Sequence, residues 1–231
     1  MNRSLPLTPR VVVQLLIVVV LLPGLPVLIT QRWDWWEAWA YAAVSAIGFV
    51  LSRVLAVKRS PDILIERSRA FEHANTEPWD RVLAPLVGIG GGVIPLIAAL
   101  EALADPAPTY SLPVKLAALA ALLGGYALGT WALVENTFFS GTVRIQSDRG
   151  HRVVSTGPYG WVRHPGYVGA WLAFAASAVI LDGVWAWVAV AILTMALVVR
   201  THLEDQTLRR KLVGYAEYAA RVRYRLVPGI W

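Results

Sequence analysis

The chain has 231 residues, of which 57% are hydrophobic and only 16% charged, with a formal net charge of +6 and a mean hydropathy of +0.54. A soluble domain carries about a quarter charged residues, and the apolar residues here sit in long blocks, so an ordinary water-soluble enzyme is excluded. Cysteine is absent, which removes disulfides, thiolate catalysis and cysteine-ligated metal from consideration.

The expected fold is all-α: a polytopic helical membrane protein of about six apolar segments with an amphipathic helix after them. In chain order the segments are Val11–Ile29, Ala38–Val57, Val82–Leu103, Leu112–Val134, Val168–Leu181 and Val184–Val199. Arg3 and Arg10 precede the first, which reads as a retained span: Pro23-Gly24-Leu25-Pro26 is a kink signal, and no small-x-small cleavage site follows. The last two segments are short at ~1.5 Å rise per residue. With the turn signal Asp182-Gly183 between them, they read as a tilted hairpin. No separate soluble domain is expected. Residues 1–231 form one membrane domain, with spans lacking recognisable motifs over 1–111.

Basic residues map to one side. Arg53, Lys58, Arg59, Arg67, Arg69 and Arg81 surround the second connection, Arg144, Arg149, Arg152 and Arg163 the fourth, and others run from Arg200 to Arg225. Arg32 and Lys115 stand on the opposite side with Asp34, Glu37, Glu101, Asp105 and Asp182. By the positive-inside rule both termini are cytoplasmic. The net charge then marks topology and contact with membrane lipids, not nucleic acid. Trp33, Trp35, Trp36, Trp39, Trp185 and Trp187 read as an outer aromatic belt.

Two glycine clusters lie within apolar segments. Gly88-Ile89-Gly90-Gly91-Gly92 follows no strand and lacks a dinucleotide-binding spacing. Gly88/Gly92 and Gly125/Gly129 instead read as small-xxx-small pairs for close helix approach.

Polar chemistry concentrates in the C-terminal half. The fourth segment ends in Glu135-Asn136. Then come Gly157-Pro158-Tyr159 and Arg163-His164-Pro165-Gly166-Tyr167-Val168-Gly169. Pro165 suits the first turn of a helix, and Arg163 and His164 at that N-terminus suit an anion such as a carboxylate. Beyond the hairpin stand Arg200, Glu204, Asp205 and Leu208, then Gly214, Tyr218 and Pro228. The tail begins as an amphipathic helix carrying Leu208, Leu212, Tyr215, Ala219 and Val222, interrupted by Gly214. Each residue also has a plain reading. Arg163 pairs with lipid phosphate, His164 caps a helix, Glu204 pairs with Arg200 one turn earlier, and His151 and His202 are surface residues. No two histidines have metal-ligand spacing.

As an ordered set, these motifs from about Trp131 to Trp231 resemble the isoprenylcysteine carboxyl methyltransferase family and its bacterial relatives, a group similar to the phospholipid N-methyltransferases. The family's paired Glu-Glu is Glu204-Asp205 here. The resemblance implies S-adenosylmethionine as methyl donor, bound at the cytoplasmic face between the last helices and the tail. It implies Tyr159, His164, Pro165, Tyr167, Gly169, Glu204 and Leu208 as cofactor-binding residues, with Arg163 and Glu204 as the catalytic candidates. The acceptor it implies is a lipophilic molecule entering from the bilayer, a lipid carboxylate first, with a phospholipid amine or a thiol as alternatives. Glu204, or Glu135, would serve as base for an amine. The location implied is a bacterial cytoplasmic membrane. An NADPH-dependent reductase of sterol-like lipids and a non-catalytic lipid-binding protein are the competing readings.

Overall fold

A computed structural model of the chain describes residue 13, residues 15–104 and residues 109–231. Arg3, Arg10, Asp105 and part of the first apolar segment lie outside the described residues. Among the described residues helix dominates and no strand occurs.

A π-helical turn at Ile17–Leu21 leads into α1, Leu22–Thr30. Helix α2, Trp36–Arg59, has Glu37 in its first turn and Lys58 and Arg59 in its last, the charge order that favours a helix dipole. Next come the short α3, Asp62–Ser68, then α4, Asp80–Gly90, and α5, Val93–Ala104. Helices α4 and α5 bend by 43° at their junction, where three successive glycines lower helix propensity. Helix α6 is Leu112–Glu135, α7 is Pro165–Ile180, α8 is Ala186–Lys211 and α9 is Tyr215–Arg221.

Helices α2, α6 and α8 are long and apolar enough to cross a bilayer, and the bent pair α4–α5 is a fourth if it counts as one span. The chain is therefore an integral membrane protein. Where the apolar segments are described they fall largely on helix, the third divided between α4 and α5, but Ile17–Thr30 and α7 are short. The last segment also departs from expectation. It does not end near Val199 with a separate helix from Arg200. Helix α8 runs unbroken to Lys211, because the polar residues after Arg200 are themselves good helix formers. The break falls at Gly214, whose φ of +81° is readily adopted only by glycine.

The apolar core joins α1, α2 and α5 to α8 through residues such as Val27, Ile94, Leu122, Ile180 and Leu193. At the acid-bearing end, buried Lys115 donates to Glu37 (2.5 Å) and Asp182 (2.5 Å), and Asp182 also accepts from the Tyr110 N–H at 2.8 Å. Glu101 accepts from the N–H groups of Val184 and Trp185 at the start of α8. These bonds gather Glu37, Glu101, Lys115 and Asp182, four of the residues assigned to one side by the charge map. Trp33, Trp36, Trp39, Trp185 and Trp187 are exposed, as a belt requires, but Trp35 is buried in the core.

The close α6–α7 contact comes from glycine. A Cβ on Gly169 would sit 2.6 Å from the Gly125 carbonyl oxygen and 2.9 Å from the Gly129 nitrogen, and one on Gly125 would sit 2.7 Å from the Gly169 oxygen. At the other cluster the expected pair is corrected. Gly88 faces open space, while Gly90 and Gly91 receive Leu193 and Phe174 at 2.5 and 2.8 Å. Gly169→Ala is therefore expected to destabilise the fold by about 1–3 kcal/mol through overpacking against backbone. Gly88→Leu should leave the detergent melting temperature unchanged. Equal loss in both variants, measured by thermal unfolding, would contradict this packing.

Candidate functional site

Where the basic ends of α6, α7 and α8 meet, a cavity with about 820 Å³ of empty space, part of it continuous with solvent, opens between the loop after α6 and the tail. Its floor is the junction of α7 with α8, where His164, Gly166 and Tyr167 face Arg200, Glu204 and Leu208. Leu212, Tyr215 and Tyr218 close the tail side, and Phe138, Phe139, Arg144, Gln146 and His151 the loop side.

The tail is held by one carboxylate. Asp205 has no exposed surface and accepts two hydrogen bonds from Arg163, at 2.6 and 3.1 Å. It also accepts from Tyr215 (3.0 Å), Arg209 (3.0 Å) and Arg225 (3.2 Å). The remaining nitrogen of Arg163 donates to the carbonyls of Val222 (2.7 Å) and Arg223 (2.8 Å). Burial, reinforced by the Asp205 charge, pushes the Tyr215 phenol well above its ordinary pKa, so it remains a donor. The backbone completes the seam: Arg163 N–H bonds the Tyr224 carbonyl, His164 N–H bonds that of Arg225, and the Tyr218 hydroxyl bonds that of Tyr159.

The loop side is held by the N-terminal half. Arg144 grips Glu66 of α3 at 2.9 and 2.8 Å and Asp148 at 2.8 Å. Burial works against the Glu66 carboxylate, but the hydrogen bonds and charge of Arg144 hold it below its ordinary pKa. Asp80, the first residue of α4, accepts from the Val143 N–H at 2.6 Å and from Arg200 at 2.7 and 3.0 Å. One fully buried carboxylate thus ties loop, α4 and α8 together. Gly157 turns the chain at a φ of +57° against Trp131 and Glu135.

The sequence candidates divide in their placement. Tyr159, His164, Tyr167, Glu204 and Leu208 all line the cavity, as does Arg163. Glu204 accepts from the Tyr167 hydroxyl at 2.5 Å and lies 3.9 Å from His164 Nδ1. His164 Nε2 is buried, makes no hydrogen bond within normal reach among the described residues and faces Asp205 Oδ1 at 3.8 Å, and the imidazole lies parallel to the Tyr167 ring. Arg163 borders the cavity but its nitrogens are committed to Asp205 and the tail. Pro165 opens α7 and is buried.

Gly169 does not line the cavity, and its bare side meets the backbone of α6. Gly166 lines the cavity, yet its bare side meets the Phe139 ring at 2.7 Å. Glu135 hydrogen-bonds Thr156 and is not in the cavity wall. Arg200 pairs with Asp80, not with Glu204. Its hydrogen bonds run through Nε and Nη2, leaving Nη1 without an acceptor among the described residues, and its guanidinium lies over the Tyr167 ring at 5.2 Å.

The wall residues that sequence reasoning missed as site residues are Arg200, Gln146 and His151. Burial holds the His151 imidazole below its ordinary pKa, and its Nδ1 accepts from the Gln146 N–H at 3.3 Å. An acid opening an apolar helix, Asp80, was the available signal for the support beneath Arg200. His202, by contrast, lies on an exposed helix face bonded to Gln206, as read from sequence.

The isoprenylcysteine carboxyl methyltransferase (ICMT) family model matches residues 117–210, from within α6 to the end of α8. The resemblance read from the motifs holds over that stretch. A search of curated proteins finds no match to the chain.

Because Asp205 is the buried counter-ion of Arg163, Asp205→Ala should destabilise the protein by about 3–5 kcal/mol. It should also free the tail after Leu212 for limited proteolysis. A variant as protease-resistant as the wild type would show that the tail is held by other contacts.

Proposed function

We propose that the chain is an integral-membrane methyltransferase that transfers a methyl group from S-adenosylmethionine to a lipophilic acceptor, a lipid carboxylate above others. The observation that carries this reading is the buried His164 imidazole at the N-terminus of α7, its Nδ1 3.9 Å from Glu204 and its Nε2 without a hydrogen-bond partner among the described residues, inside the family-matched region. A buried polar atom left unbonded costs free energy, and a ligand that bonds it removes the cost.

When bound, S-adenosylmethionine supplies a methyl group already activated by its sulfonium, so the chain must align and dehydrate more than activate. His164 offers its imidazole to the donor's carboxylate, aided by the α7 N-terminus. Glu204, oriented by the Tyr167 hydroxyl, accepts from an ammonium or from ribose hydroxyls. Tyr159, Tyr167 and Leu208 give flat apolar surface.

Arg163 acts as a positioning residue: it fixes the turn that presents His164 and holds the tail that shields the cavity. Arg200, braced by Asp80, presents a cation to an oxyanion of the acceptor, which supports a carboxylate over an amine. The region 131–231 is then the cofactor-binding part of a single membrane domain. By the positive-inside rule the basic end, with cavity and tail, faces the cytoplasm of a bacterial cell.

His164→Ala and Glu204→Gln are each expected to weaken S-adenosylhomocysteine binding by about tenfold or more, the worth of a hydrogen bond involving a charged group. The check is isothermal calorimetry on detergent-purified protein with an unchanged melting profile. Wild-type affinity in both variants would remove the donor site from this cavity.

A further inference from the structure

The cavity wall stops short of the N-terminal half: every described residue that lines it lies at or after Asn136. Phe139 stands at that limit. Its ring packs into two separate apolar groups. One surrounds Ala132, Tyr159, Leu212 and Tyr218 and borders the cavity. The other is formed by Ala56 of α2, Ile63 of α3 and Leu133 of α6, which are almost wholly buried and do not line the cavity. No other described side chain belongs to both groups.

The ring is fixed from several directions. Asn136 closes α6: its N–H bonds the Ala132 carbonyl at 3.1 Å, and its carbonyl accepts from the Phe139 N–H at 3.0 Å. Its side chain accepts from the Phe138 N–H at 2.9 Å and donates to the Tyr159 hydroxyl at 3.3 Å. That turn sends Phe138 to the His151 ring, 4.7 Å between centroids, and Phe139 onto α7, where a Cβ on Gly166 would sit 2.7 Å from it. The missing Cβ of glycine is what lets the ring lie on the first turn of α7. Arg67 covers the ring from α3, at 5.3 Å from its centroid. Beyond Ala56, its neighbours Val54 and Leu55 on α2 are exposed, a surface that a bilayer covers. Phe139 therefore occupies the apolar route from the cavity toward α2.

We propose that Phe139 determines acceptor size, restricting the site to molecules with a short apolar chain. This deepens the methyltransferase reading and rests on it, because the cavity must hold donor and acceptor together and the ring sets the room left for the second. Each methylene that finds apolar surroundings adds about fourfold in affinity, so a chain longer than the ring admits gains nothing from its further length. Such selection comes from the shape of the pocket and is independent of the head group.

The test uses the full chain in phosphatidylcholine nanodiscs, with radiolabelled octanoate and palmitate as one probe pair and octanol and hexadecanol as another, empty nanodiscs being subtracted. Phe139→Ala should raise the affinity of the long probe relative to the short one by about tenfold or more, a ratio in which membrane partitioning cancels. Phe139→Leu should move the ratio the same way by less. Because the chain has no cysteine, a single Ala56→Cys reports the space behind the ring: a charged maleimide should label it slowly beside Phe139 and about tenfold faster beside Phe139→Ala. An unchanged ratio in both probe pairs would overturn the inference, as would rapid labelling of Ala56→Cys with the ring in place. A shift confined to the alcohols keeps the size limit and removes the carboxylate head from the proposed acceptor. A shift in protein that ignores S-adenosylhomocysteine keeps the size limit while the methyltransferase reading falls.

Discussion

Asp205 is the point on which the basic end of the molecule depends. A carboxylate with no exposed surface would be expelled from the interior unless its charge were matched. Here Arg163, Arg209 and Arg225 donate to it together with Tyr215. These partners come from the turn before α7, from α8 itself, from α9 and from the tail, so one side chain fixes the mutual placement of all four. His164 and Glu204 are neighbours in sequence of Arg163 and Asp205, and the same constraint sets the two across the cavity floor.

Asp80 plays the corresponding part on the opposite wall. It is fully buried, holds Arg200 and stops the loop at Val143. With the Arg144–Glu66 pair it lets the N-terminal half determine the shape of a cavity whose floor comes from the C-terminal half. Such buried pairs stabilise only when both partners remain, which makes them sensitive to single substitutions and gives the cavity a defined geometry. The glycine contacts of α6 with α7 serve the same end, since the spacing of those two helices decides how far His164 stands from the loop.

Much of this was legible in the sequence for identifiable reasons. Apolar blocks and the segregation of Arg and Lys specify a helical membrane protein with a basic end, because burying helix in lipid requires long apolar runs. Pro165 at the first turn of α7 and Gly214 at the break before α9 are local rules that hold. The order Arg163-His164, Glu204-Asp205, Tyr218 shows which segments converge, but not how. Spacing within a helix suggested Arg200 with Glu204, whereas tertiary structure gives Arg200 to Asp80, 120 residues away in sequence. Nor does sequence distinguish a glycine facing open space, Gly88, from glycines facing a helix, Gly90 and Gly91. Those choices depend on helix rotation, which apolar patterns leave undetermined when lipid and protein interior are equally apolar. The role of Asp205 was likewise hidden, since a pair of acids reads as two similar groups until one proves buried and the other faces the cavity.

The most direct test of the methyl-donor reading is parallel calorimetric titration of the detergent-purified wild-type protein with S-adenosylhomocysteine and with NADPH. Saturable binding of S-adenosylhomocysteine alone is the expected result. Saturable binding of NADPH without it would make the cavity that of a reductase, and silence toward both in folded protein would contradict a catalytic role for the site.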